Sequence, residues 1–158
     1  MASPEPMLEW TEDLSVGVDS IDEDHQAFFR VEPMLEEILA SSDSARSMLI
    51  ESVLNILEEY VEGHFLREQQ ALAAIDFPGL AVHIKAHDKF AEKVRAIIKD
   101  YRQGNLAVVE SLGPLISDWI TNHIKTMDRQ YLGLLTNENV DKRPLVCLLD
   151  DPEDDLEF

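Results

Sequence analysis

Cysteine is almost absent from this 158-residue chain: Cys147 stands alone, so no intramolecular disulfide can form and no thiolate cluster can hold zinc or iron–sulfur. Positive charge is scarce as well. Thirteen Lys and Arg face 32 Asp and Glu, a formal charge of −19, which repels phosphate backbones and anionic lipid headgroups. Nucleic acid and membrane surfaces are therefore excluded as expected partners. No run approaches the roughly 18–20 apolar residues of a membrane span. The opening MASPEPMLEW lacks the basic start and apolar stretch of a secretory signal, so a reducing cytoplasm is the expected location. Six glycines and seven prolines leave room for long uninterrupted helices, and the length suits one core with arms or tails.

What is present is helical periodicity. Residues 1–20 carry Pro4, Pro6 and Gly17 and the alternation Leu14, Val16, Val18, and are expected to form an extended arm. Ile21, Phe28, Phe29, Val31, Leu35, Ile38 and Leu39 predict a first helix over about 20–40, capped by Ser20 or Asp22 and bent at Pro33. After a turn and cap at SSDS (41–44), Met48 through Leu72 mark a second helix to about Ala74. Asp76 and Pro78 are placed to start a third, which Gly104 ends. Asn105 is placed to cap a fourth, carrying Leu106 through Leu132 with a kink at Gly113-Pro114. Helices of this length with short connections predict an all-α, antiparallel up-and-down four-helix bundle over 21–135. Residues 136–158 follow as an acidic tail with an apolar knot at Leu145–Leu149, which can pack on the bundle, dock a protein partner, or hang free.

The five histidines fall on all four helices: His25, His64, the pair His83 and His87, and His123. Residues four apart on a helix lie about 40° apart around its axis, so His64 shares a face with Glu68, and His83 with His87. Asp128, five beyond His123, sits about 140° away and reaches a common target only from the side. Any one of these histidines is ordinarily an unremarkable core or half-exposed residue, and any one acid a solvated surface group. Together they are different. A bundle interior that buried five imidazoles and two carboxylates without a cation would carry several kcal/mol of uncompensated desolvation. Imidazole with carboxylate suits iron, zinc or copper. The E-x-x-H pairs of ferritin-like di-iron sites and the H-E-x-x-H of zinc proteases are both missing.

The arrangement H…H-x-x-x-E…H-x-x-x-H…H-x-x-x-x-D resembles the hemerythrins, in particular the bacterial hemerythrin-like proteins. The resemblance covers about residues 8–135, through LEWTEDLSVGVDSIDEDH, HFLRE, HIKAH and WITNHIKTMD. It implies a non-haem di-iron centre with an oxo or hydroxo bridge, Glu68 and Asp128 bridging, His83, His87 and His123 on a six-coordinate iron, and His25 and His64 on a five-coordinate one. The implied open position is where dioxygen would bind, for storage, delivery or sensing. The alternative is an enzyme acting on peroxide, nitric oxide or dioxygen at the same centre. Trp119, Ile120 and Ile124 match positions that line the oxygen pocket in the family, and helical spacing adds Phe28 and Phe65; all five would also serve as ordinary core. Pro33, Gly113-Pro114 and the glutamines Gln69 and Gln70 depart from the family pattern without removing a ligand.

Overall fold

The apolar stripes close on one another in a computed structural model that describes residues 9–42 and 44–149. Its helices are α1 (Asp19–Phe29), α2 (Val31–Ala40), α3 (Arg46–Ala74), α4 (Leu80–Arg102), α5 (Leu112–Thr126) and α6 (Leu145–Leu149). The fold is the all-α four-helix bundle, with α1 and α2 together forming its first rod. The second rod, α3, packs on α4, α2 packs on α5, and α1 packs on both α3 and α5. Between them lies one core that includes Ile21, Phe28, Leu35, Leu54, Leu57, Leu72, Val94, Ile98, Ile116 and Ile124. Among the described residues no helix is long and apolar enough to cross a membrane.

The arm is tied down by burial and by one acid. Leu14, Val16 and Val18 are buried in the core. Asp22 does not cap α1, whose N-cap is Val18. Its carboxylate instead accepts hydrogen bonds from the Val16 N–H (3.0 Å) and the Ser15 hydroxyl (2.6 Å), fixing the arm against the helix that follows it.

The helix breaks lie elsewhere than the prolines suggest. The first rod breaks at Arg30 rather than bending at Pro33, and Pro33 falls in the first turn of α2, where its missing N–H costs nothing. Gly113-Pro114 likewise opens α5 instead of kinking a longer helix, and the stretch from Leu106 to Ser111 is a 3-10 segment. Asp43 of the SSDS turn lies outside the described residues, and Ala45 precedes α3. Asp76 does not start the third helix. At φ 53° it terminates α3: its N–H bonds to Ala73 O (3.1 Å) and that of Phe77 to Leu72 O (3.0 Å), a left-handed cap that aspartate tolerates. Pro78 sits in the turn before α4, whose N-cap is Gly79. The last helix stops at Thr126, and Asp128–Tyr131 winds on as a 3-10 turn.

From the tail, residues 136–149 lie on the bundle, with Leu145 and Leu148 buried and α6 packed against α3. Residues 150–158, the acidic end of the tail, lie outside the described residues.

Gly113 permits the approach of α5 to α2: a Cβ there would stand 3.0 Å from the backbone Cα of Glu32. Gly113→Val is expected to cost about 1–3 kcal/mol through overpacking, read as a lower urea midpoint. An unchanged midpoint would mean that the two helices do not meet as described.

Candidate metal centre

Each rod contributes imidazole, and the side chains converge. His25 (α1), His64 and Glu68 (α3), His83 and His87 (α4), His123 (α5) and Asp128 are all buried, the most exposed being His123 at 4%. Asp128 arrives because the backbone turns at Met127 (φ −119°, ψ −55°), which swings a residue five beyond His123 onto the same interior. The oblique reach that α-helical spacing demanded is supplied by this break.

The two carboxylates divide the cluster. Glu68 Oε1 and Asp128 Oδ1 face His83, His87 and His123: His83 Nε2 and His123 Nε2 each lie 2.9 Å from Asp128 Oδ1, and His87 Nε2 lies 3.3 Å from Glu68 Oε1. His83 Nε2 also contacts Glu68 Oε1 directly. The opposite oxygens face the other two rings, with His64 Nε2 3.3 Å from Glu68 Oε2 and His25 Nε2 3.2 Å from Asp128 Oδ2. Neighbouring donors around an octahedral ion stand about 3.0 Å apart, √2 times a bond of about 2.1 Å. These spacings match that figure. Both oxygens of Asp128, Glu68 Oε2, His25 Nε2 and His64 Nε2 are buried with no hydrogen-bond partner among the described residues, as expected of atoms shaped to hold cations. The donors form two groups able to hold metal, Glu68 with His83, His87, His123 and Asp128, and Glu68 with His25 and His64.

The outer nitrogens turn the lone pairs inward. His64 Nδ1–H donates to Asp24 Oδ2 at 3.0 Å, leaving Nε2 free to face the centre. The Gln69 amide nitrogen Nε2 lies 2.9 Å from His87 Nδ1; turned over, so that its oxygen takes that place, the amide accepts the Nδ1–H and fixes the same tautomer. Neither Asp24 nor Arg67, which is bonded to it, stood out in the sequence. A buried aspartate and arginine look like any solvated pair in so acidic a chain, and the only signal is that each directly precedes a donor, His25 or Glu68.

Aromatic rings wall the cluster unevenly. Phe65 stacks on His87 (3.8 Å between centroids) and Trp119 on His123 (4.3 Å), both on the three-imidazole side. Phe28 meets His64 edge-on at 5.4 Å on the two-imidazole side. Ile120 and Ile124 are buried in the core on the helix that carries His123. Tyr131, not singled out as a site residue, is fully buried with its ring 6.1 Å from His83, and burial pushes its phenol well above the usual value.

The model of the Hemerythrin HHE cation binding domain matches residues 16–135. The chain belongs to the hemerythrin family. It is 29% identical over 133 residues to a bacteriohemerythrin of Clostridium acetobutylicum, covering 80% of this chain and 99% of the relative. It is 27% identical over 132 residues to a myohemerythrin of Riftia pachyptila (84% and 96%), and 33% identical over 113 residues to a hemerythrin of Themiste dyscrita (72% and 80%). Membership of the hemerythrins implies a non-haem di-iron, oxygen-binding protein, and the buried cluster of imidazoles and carboxylates is of the kind that could bind it.

Without a cation the cluster holds protons in its place. Burial works against charge on His64, but the facing carboxylates of Asp24 and Glu68 outweigh that and raise its pKa to about 10. Burial is likewise outweighed at His83 by Asp128 and Glu68, which raise it to about 9. Burial wins at His87 and lowers it to about 4. At Glu68 and Asp128 burial is overcome by the facing imidazoles, and both are pushed below the usual carboxylate range. At neutral pH His64 and His83 therefore carry protons that a cation seated there must displace. Loading the metal-free protein at pH 7 is expected to release the protons of His64 and His83, over and above those lost by a bridging water, and that share is expected to fall away as pH rises through 9 and 10, measured by calorimetry in buffers of different ionisation enthalpy. No release at pH 7 would contradict the protonated state of both rings.

Proposed function

We propose that this hemerythrin binds dioxygen reversibly at a di-iron centre, in a storage, delivery or sensing role. His83, His87 and His123 would hold one iron and His25 and His64 the other, with Glu68 and Asp128 shared between them and an oxo or hydroxo group completing the centre. The observation that carries the reading is the unequal division of the rings. With the carboxylates and an oxo or hydroxo group shared, three imidazoles would complete six positions and two would leave one open, the feature that separates a reactive metal site from a closed structural one.

Bound there, an iron pair would supply an open coordination position and the electrons for holding dioxygen. Everything else falls to the chain. Asp24 and Gln69 hold two of the imidazoles in their ligating tautomer and orientation. Phe28 lies edge-on to His64 on the side that would keep the open position, Phe65 and Trp119 stack on His87 and His123, and the buried Ile120 and Ile124 are read as part of the same wall. A wall of this kind excludes water and hinders proton delivery, which favours binding and release over turnover. The aromatic stacking on His87 and His123 supports ring positioning as a second task for Phe65 and Trp119.

The purified iron-loaded protein is expected to show a visible absorption under air that disappears on oxygen removal and returns on re-aeration. Rapid bleaching under air, or multiple turnover with peroxide or nitric oxide and a reductant, would overturn carriage in favour of an enzyme. His64→Ala is expected to lose iron or oxygen binding with its helicity preserved, and full iron loading with unchanged oxygen affinity would contradict its place in the set. Ile120→Ala is expected to hasten irreversible oxidation in air several-fold; an unaltered rate would remove Ile120 from the wall.

A further inference from the structure

The two-imidazole side of the cluster is connected to the far end of the chain by a short relay of buried polar groups. Asp24 Oδ2 accepts from His64 Nδ1–H at 3.0 Å and, on the same oxygen, from Arg67 Nε–H at 2.9 Å. Asp24 is 5% exposed and Arg67 is 3% exposed. A guanidinium buried to that degree needs its other N–H groups met, and both partners come from the C-terminal segment: Arg67 Nη1 donates to Asp141 O, and Nη2 to Arg143 O at 2.8 Å. The carbonyls are presented by a turn in which the Arg143 guanidinium grips the Asp141 carboxylate (Nη2 to Oδ2, 2.8 Å).

Apolar packing holds that turn in place. Leu145 and Leu148 are buried on α3, and the approach is close enough that a Cβ on Gly63, the residue before His64, would stand 2.9 Å from Leu145 Cβ. Upstream, Asn137 accepts from the Asp19 N–H (2.8 Å) and donates to the Asp19 carboxylate (3.2 Å), tying the segment to the start of α1. Between α1, α3 and this segment lies a polar groove of about 510 Å³ lined by Ser20, Asp24, Arg67, Lys142 and Pro144 among others. Solvent in the groove is therefore the alternative partner for Arg67 whenever the segment is lifted.

We propose that Asp24 and Arg67 are positioning residues for His64 and that the C-terminal segment 141–149 is the strap that holds them, so that this segment sets the geometry of one side of the centre only. The three-imidazole side has no part in the relay: His87 is held by Gln69, from within the bundle. The proposal uses the reading of His64 as an iron ligand for its effect on metal, but the relay itself does not depend on any metal. Lifting the strap strips two acceptors from Arg67, turns the guanidinium toward water, and leaves Asp24 free to abandon the imidazole.

Arg67→Met, a chain ending at Val140, and Arg102→Met as a surface control separate these consequences. In the metal-free protein the His64 Nδ1–H resonance is expected to be protected from solvent exchange, and to exchange at least about tenfold faster in Arg67→Met and in the shortened chain, with His87 Nδ1–H and the control unaffected. With iron, the two altered proteins are expected to hold one ion about 10- to 100-fold more weakly and the other unchanged, the usual range for losing an outer hydrogen-bond partner. Arg67→Met keeps the strap and an apolar stem, so it decides the matter if the shortened chain does not fold. An unaltered His64 resonance, or equal weakening of both ions, would overturn the relay. If the wild-type chain binds no iron pair, the functional reading fails while the exchange measurement still decides the strap.

Discussion

Two carboxylates buried at the centre of a hydrocarbon bundle, Glu68 and Asp128, are the constraint on which the rest of the molecule depends. Fully removed from water, they are tolerable only if positive charge meets both of their oxygens, and their two faces look toward different imidazoles. Every rod of the bundle must bring nitrogen to the same depth for that to happen. The helices are therefore set against one another by the cluster as well as by their apolar stripes. In the metal-free chain protons on His64 and His83 supply the charge, and two cations would supply it more completely.

The irregular parts of the fold serve this convergence. A continuous α5 would carry Asp128 past the interior, and the break at Met127 returns it. Gly113 brings the start of α5 against α2 and so sets the helix that carries His123. Asp22 ties the arm to α1, the helix that carries His25 and Asp24. On α3 a single run of the chain from Gly63 to Gln69 receives the strap, supplies two donors to the cluster, and orients the imidazoles of His64 and His87 through Arg67 and Gln69.

The four-rod plan was legible because apolar residues at helical spacing mean the same thing in any context. The breaks were not, since a proline in a first helical turn and one at a mid-helix kink look alike in sequence; Pro33 and Pro114 both proved to be of the first kind. Asp76 offered the chemistry of a helix start but ended one, because a left-handed aspartate depends on backbone geometry that its neighbours do not reveal. His64, Glu68, His83 and His87 were conspicuous through i to i+4 spacing, and His25 and His123 through their places on the remaining helices. Asp128 was less so, as its aim rests on a local change of winding. Asp24 and Arg67 were silent, because an acid and a base become distinctive only when both are buried. The strap was visible as an apolar knot, but its seat on α3 required a glycine at position 63 and a facing leucine 82 residues later, a pairing no local pattern encodes.

The central claim is that the carboxylates split the imidazoles unequally between two cations, and near-infrared magnetic circular dichroism of the fully reduced, iron-loaded protein tests it most directly, because ligand-field bands report coordination number. The unequal division predicts the bands of one five-coordinate and one six-coordinate ferrous ion. Bands of a single coordination number, or one bound ion per chain, would contradict it.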